Sequence, residues 1–318
     1  MERKVGKMRR ILLGSIFAII SAFVVAASAS AVVYDFESFS ASTTGVALDG
    51  QGGFYIPTSD TGHYYVYTYD GNQPFYDRNP SSTYSVPTNP YGNSNFVAGP
   101  GIGNYFFLPD SYNRAQKDTS FLDNTTWTIG YDFLAGFAPP DDVNYPYPTD
   151  YVGSFSLLNQ SAGVNSFINL MSWTYNPSNP DNPPIGFNST YLAYDADGNF
   201  FYAPGVGPGS EWNDLSLDHW YRAWTTFDLS TNMITEVGLM DLSTLVGTSY
   251  NPTDWYLEGV QAGGIAPDAF RLFTGGSGDG NLLAFDNISV APVPEPATML
   301  LLGSGLAGLA ALRRRFKR

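Results

Sequence analysis

Carboxylates are the residues of this sequence whose number and spacing could do chemistry. The 318 residues include 29 Asp and Glu, two His and no Cys. Two acids facing one groove about 5–9 Å apart are what glycoside hydrolysis requires. Asp35 and Glu37 lie near one end of the central region, in Val33-Tyr34-Asp35-Phe36-Glu37, and Asp286 lies near the other, in Ala284-Phe285-Asp286-Asn287-Ile288-Ser289-Val290. Strict alternation places Asp286 on one strand face with Ile288 and Val290. If that face is the inner one, the carboxylate needs a partner, because an unpaired buried charge costs too much to keep. Calcium, which takes six to eight oxygen ligands, would supply it. Glu37 and Asp286 are therefore the candidate metal ligands; the alternative is that both are strand-edge acids facing solvent. His63 and His219 are far apart and each adjoins aromatics. No His-Glu-x-x-His, Gly-x-Ser-x-Gly or phosphate-loop motif is present, and the lack of cysteine rules out thiol chemistry and disulfides. No catalytic residue is assigned. Aromatic rings beside Asn and Asp suit sugar stacking, and Tyr64, Tyr65, Tyr67, Tyr69, Trp173, Trp212 and Trp255 are candidates. Core packing and cross-strand pairing would claim the same rings.

The elements that must position these groups read as strands. Short runs rich in Tyr, Phe, Trp, Val and Thr alternate with Gly, Pro, Asn and Asp clusters, the pattern of an all-β sandwich or barrel. Strands are expected near 32–37, 64–69, 104–108, 126–133, 152–158, 166–175, 191–194, 199–202, 220–228, 233–241, 269–274 and 281–290. In one of them Trp127, Ile129, Tyr131 and Phe133 alternate with Thr128, Gly130 and Asp132, so one face is apolar. Hairpins are expected at Asp195-Ala196-Asp197-Gly198-Asn199 and at Ser230-Thr231-Asn232. The first of these lacks the twelfth-position Glu of an EF-hand calcium loop and reads as a tight turn. Proline-rich loops at 77–91, 138–149 and 176–184 forbid regular pairing.

Both ends differ from this middle. Residues 1–10 hold Arg3, Lys4, Lys7, Arg9 and Arg10; an apolar run 11–25 and small residues around Ala29 and Ala31 follow. That is the layout of a secretory signal peptide over 1–31. At the other end Val293-Pro294-Glu295-Pro296 follows Ala291-Pro292, an uncharged apolar run spans 297–312, and 313–318 reads Arg-Arg-Arg-Phe-Lys-Arg. Pro294 and Pro296 bias the frame around Glu295 to extended backbone. The 16-residue run would make about 24 Å of helix, a transmembrane helix slightly short of a hydrocarbon core of about 30 Å. The basic end belongs on the cytoplasmic side. The expected organisation is a signal peptide over 1–31, one β-sandwich domain over 32–290, a proline-rich linker over 291–296, a membrane-spanning helix over 297–312 and a basic cytoplasmic tail over 313–318.

With the ends set aside, charge changes meaning. Of 15 Lys and Arg, five lie in 1–10 and five in 313–318, leaving Arg78, Arg114, Lys117, Arg222 and Arg271 against 28 of the 29 acids. A net charge near −23 over 32–296 repels nucleic acid and favours cations.

The tail resembles the PEP-CTERM sorting signal of Gram-negative bacteria. Its Pro-Glu-Pro falls on Pro294, Glu295 and Pro296, its apolar helix on 297–312, and its basic end on 313–318. That resemblance implies export across the inner membrane, recognition by an exosortase, removal of the tail, and a place at the cell surface or in extracellular polysaccharide. A weaker resemblance links the middle to jelly-roll or concanavalin-like carbohydrate-binding domains. These often open on a Phe-Glu strand, matched by Phe36-Glu37, and close on an Asp-Asn-Ile strand, matched by Asp286-Asn287-Ile288; 220–228 is similar to their Trp-led central strand. In such modules acids at the positions of Glu37 and Asp286 often hold calcium. Two functions are expected to compete: an exported matrix-interacting structural protein, and an exported glycan-processing hydrolase that uses a carboxylate pair.

Overall fold

Alternating burial builds the central strands: Tyr221–Asp228 switches between buried and half-exposed residue by residue, the period of a strand with two distinct faces. The computed structural model describes residues 31–57, 64–69, 85–100, 113–121, 125–137, 151–175, 184–203, 212–258, 266–275 and 281–293. All but Ala31 of these belong to one unit, Val32–Val293. Sixteen strands lie among the described residues, every pairing antiparallel, in two sheets.

The larger sheet runs, in spatial order, β14 (Val246–Tyr250), β13 (Met233–Asp241), β12 (Tyr221–Asp228), β7 (Thr126–Phe137), β16 (Asn281–Pro292), β5 (Asn95–Pro100), β4 (Tyr65–Thr68) and β2 (Val46–Ala47). Strand β1 (Val32–Tyr34) also pairs with β16, further along than β5. The smaller sheet runs β11 (Phe200–Ala203), β10 (Gly186–Tyr194), β9 (Val164–Thr174), β8 (Tyr151–Asn159), β15 (Ala269–Thr274), β6 (Asn113–Asp118) and β3 (Phe54–Tyr55).

The sheets pack face to face through aromatics. Tyr131 of β7 stacks on Phe155 of β8 with ring centroids 3.9 Å apart. Phe133 meets Phe187 edge-on, and Phe285 leans on Phe155. Such ring pairs add about 0.5–1.5 kcal/mol each beyond their buried area. A polar cluster within this layer is paired: Asn169 donates to Tyr131 Oη at 2.7 Å and accepts from Ser189 Oγ at 2.8 Å.

The larger sheet has a second core on its other face. Tyr67, Phe96, Ala98, Leu134, Leu282 and Ala284 cluster there with Trp220, Leu242 and Val86. Val86 belongs to an irregular strap, 85–92, which crosses this face and is tied down where Trp220 Nε1 donates to Pro87 O at 2.6 Å.

Both expected hairpins form. At the first, Asp195 Oδ1 accepts from the backbone N–H of Asp197 and Asn199 at 2.9 and 2.8 Å, and Gly198 takes φ +81°, a left-handed value that glycine adopts at least cost. At the second, Asp228 Oδ1 caps Ser230 N at 2.8 Å and Asn232 sits at φ +56°. The expected strand 32–37 stops at Tyr34, because Asp35 Oδ1 captures Glu37 N at 3.2 Å and Phe36 turns to φ +59°. Strands β2, β3, β5, β6 and β14 were not expected. β6 reads Asn-Arg-Ala-Gln-Lys-Asp and β14 Val-Gly-Thr-Ser-Tyr, compositions that become strands through pairing with β15 and β13. The linker starts later than Ala291: Ala291 and Pro292 still pair with Thr128 and Trp127, and Val293 N donates to Thr126 O at 2.8 Å. The expected strand 104–108, the signal peptide and the tail helix lie outside the described residues.

Candidate functional site

Three neighbouring strands bring three charges into one row. Asp286 of β16 is directly opposite Asp132 of β7, and Asp132 is directly opposite Arg222 of β12. Both carboxylates are completely buried. Arg222 forks onto Asp132, Nε to Oδ1 at 2.6 Å and Nη2 to Oδ2 at 2.8 Å, the strong bidentate geometry. The Asp132 hydrogen bond is the first cause that raises the Arg222 pKa. The outer flank of the guanidinium lies over the Tyr91 ring at 5.3 Å.

Among the described residues, Asp286 has no cation of its own. Its Oδ1 accepts from Asn287 N at 2.8 Å, and its Oδ2 from Tyr69 Oη at 3.1 Å and Asn89 Nδ2 at 3.2 Å. Asn89 also donates to Asp132 Oδ2 at 2.9 Å, and so does Asn287 Nδ2, at 2.9 Å. Burial first, with the charge of Asp132 adding to it, pushes the Asp286 carboxyl up to about 7 against the pull of these donors. Burial likewise drives the Tyr69 hydroxyl far above its ordinary range. The strap comes so close that a Cβ on Gly92 would collide with Asp286 Oδ2, so only glycine fits that position.

A β-bulge sets this geometry and overturns one expectation. Strict alternation predicts Asp286 beside Ile288 and Val290. Instead, β16 slips by one residue against β7 between Asp286 and Ser289, with Asn287 at φ +48°. Val290 pairs with Ile129 on the inner face, whereas Asp286 pairs with Asp132 on the outer face, beneath the strap. The bulge also falls in the gap between the β5 and β1 pairings along β16, where Asn287 Nδ2 reaches Tyr91 O at 3.1 Å.

Glu37 and Asp286 have different partners. Glu37 Oε1 accepts from Ser94 N at 2.8 Å and Asn95 N at 2.9 Å, and Oε2 from Ser94 Oγ at 2.5 Å. Every oxygen of both carboxylates therefore faces a hydrogen donor, and a calcium ion would have to displace those donors. Among the described residues no group of three or more His, Asp and Glu is arranged to hold a metal ion.

The candidate sugar-stacking aromatics are core residues. Tyr64, Tyr67, Trp173, Trp212 and Trp255 are buried, with Tyr65 and Tyr69 half-buried. Tyr64 Oη pairs with Thr274 Oγ1 and Trp173 Nε1 with Asn281 Oδ1. His219 is half-exposed and makes an ion-pair contact of 3.2 Å with Asp241; His63 lies outside the described residues. Sequence alone names Asp132 and Arg222 only for their strand position and charge, not as site residues. The only available signal was that both sit on the polar side of strongly alternating strands. Because Asp132 and Asp286 are closed to solvent, this particular carboxylate pair is closed to a glycan.

The Pro-Glu-Pro segment begins one residue after the last described residue, Val293. A family model for the PEP-CTERM protein-sorting motif matches residues 292–315. The chain carries a PEP-CTERM protein-sorting motif. Val293, Pro294, Glu295 and Pro296 all fall inside it, and it indicates an exported protein sorted by an exosortase. No curated protein matches the sequence. Solved structures similar to this chain include an endo-β-1,4-glucuronan lyase from the fungus Trichoderma reesei, at 9% identity over 79% of this chain and 94% of that one, with a TM-score of 0.40. Peanut lectin is similar at 10% identity over 84% and 100%, with a TM-score of 0.38. A PL-14 alginate lyase from Aplysia kurodai follows at 9% identity over 65% and 86%, with a TM-score of 0.34. At these scores the likeness carries nothing about ligand or activity, and the two-sheet architecture rests on the strand pairing itself.

Proposed function

We propose that this PEP-CTERM chain is a structural surface protein: it is exported, trimmed by an exosortase, and left at the cell surface or in the extracellular matrix, where its β-sandwich associates with polysaccharide. The observation that carries this reading is the sorting motif at 292–315, which in sequence starts at Pro292, the final residue of the last strand, β16. Export would remove 1–31 and leave a sandwich with a net charge near −23, soluble beside acidic polysaccharide only where cations screen it.

The tail has a physical division of labour. Pro294 and Pro296 keep Glu295 in an extended frame just outside the membrane, where a membrane-embedded enzyme can read its charge. The apolar run 297–312 holds the chain in the bilayer, and the arginines of 313–318 fix its orientation. Glu295→Ala preserves the apolar run and the basic end. In a host with an exosortase it leaves export intact and traps a membrane-bound precursor, heavier by about the mass of 297–318 in an intact-mass spectrum. Normal trimming of Glu295→Ala would overturn the exosortase reading and leave a plain anchor.

A further inference from the structure

Trp224 is the one tryptophan of six that the fold does not bury. Trp127, Trp173, Trp212, Trp220 and Trp255 are core residues, and each packs against another ring. Trp224 is half-exposed and meets no other ring among the described residues. Alternation along β12 puts it on the same side as Arg222, the outer face of the larger sheet.

The register explains how the ring lies. Opposite Trp224 stand Gly238 on β13 and Gly130 on β7. A Cβ on Gly238 would come within 2.0, 2.1 and 2.6 Å of the indole atoms Cζ2, Cε2 and Cη2. That spread of distances puts the Cβ over the ring face rather than at its edge, so the indole rests flat on the backbone of β13 and only glycine fits beneath it. One ring face is seated on the sheet, and the other looks outward. Nε1 donates to Glu236 Oε1 at 3.1 Å, which fixes the ring in its plane. Glu236 is opposite Thr226 on the same face, and its Oε2 takes no hydrogen bond among the described residues. Beyond the ring, Ser249 of β14 is opposite Gly238 and exposed.

We propose that the outward face of Trp224 is a stacking platform for an uncharged pyranose residue of a polysaccharide, with Glu236 Oε2 accepting from a hydroxyl at the sugar's edge. The site rests on the matrix-interaction reading above and names where that contact is made. A pyranose has an apolar C–H face and a rim of hydroxyls. A flat indole supplies the matching apolar area, and a ring already pinned by Glu236 loses little freedom on binding. The carboxylate makes the stronger, charge-assisted kind of hydrogen bond. Charge selects the occupant. A nucleobase would also stack on the ring, but its phosphates would meet 28 acids set against five Lys and Arg in the exported region. A uronate would meet Glu236 and the same field.

The test is calorimetric titration of the full chain in detergent with cellohexaose, mannohexaose and a hexameric oligogalacturonate, alongside acrylamide quenching of tryptophan fluorescence. Wild type should bind a neutral hexamer with an affinity that salt leaves unchanged, since an uncharged ligand gives salt nothing to screen. The bound sugar should shield the quenchable tryptophan. Trp224→Ala should lose roughly tenfold or more in affinity. Gly238→Ala lifts the indole off β13 without removing it and should weaken binding too. Shielding is read in the wild type, so it decides the matter even where a variant folds poorly. Neutral-hexamer binding that leaves quenching unchanged and survives Trp224→Ala overturns the site and leaves the matrix reading standing. Binding of the oligogalacturonate alone does the same. A chain that binds no hexamer yet co-sediments with its host's own polysaccharide overturns the site only, and one that does neither overturns both.

Discussion

Asp286→Asn separates the charge of the buried row from its shape. The Asp286 carboxyl ordinarily titrates at 3.8, and burial raises it to about 7 in the fold. A carboxyl raised on folding binds its proton more tightly in the native state. The fold therefore suffers no penalty below pH 3.8, loses stability as pH climbs from there towards 7, and holds a constant penalty above 7. The groups facing Asp286 are Asp132 of β7 with Arg222 of β12 behind it, Tyr69 next to β4, and Asn89 and Tyr91 of the strap. None of them offers Asp286 a cation of its own. From pH 5 to pH 8, a shift from 3.8 to about 7 removes about 3 kcal/mol from wild-type stability, worked as proton linkage. For a unit of this size that is roughly 6–12 °C in melting temperature. Asp286→Asn cannot ionise. It pays a pH-independent cost of about 1–3 kcal/mol because its Nδ2 must face the Asn89 and Tyr69 donors. Urea unfolding of both proteins at pH 5, 6, 7 and 8 cancels the titration of every other group in the difference. The wild-type advantage should shrink by about 3 kcal/mol across the range. A difference that stays flat would mean that Asp286 is ionised throughout, and that Arg222 or a rearranged Asn89 serves both carboxylates.

Trp220→Phe removes the indole donor to Pro87 O and part of the ring packed against Phe96 and Tyr69. A loss of about 2 kcal/mol in urea unfolding is expected, with new proteolytic cleavage confined to 85–92; cleavage elsewhere would mean that the strap is held by other contacts. Because every oxygen of Glu37 and Asp286 faces a donor, melting temperature should be the same in EDTA and in millimolar calcium. A rise of several degrees with calcium would show that the ion displaces those donors.

Much of this chain was legible from one-dimensional order. The tail needs no tertiary contact to be read, since its function lies in the succession of Pro294-Glu295-Pro296, an apolar run and arginines. The strands from Thr126 and from Tyr221 were equally plain, because alternation is a local, period-two property of an extended backbone. The turns at Asp195–Asn199 and after Asp228 were legible for the same reason: a side chain two residues away makes the bond that forms them. Tertiary structure alone decided which face Asp286 takes. The slip at Asn287 is imposed by the pairing of β16 with β7 and by the strap above it, so no rule of alternation along one strand contains it. It also decided that Asp132 stands in one row with Arg222 and Asp286, which lie 90 and 154 residues beyond it in sequence. Register between distant strands is chosen by the packing of whole faces, and that choice turned the candidate sugar-stacking Tyr and Trp rings into core.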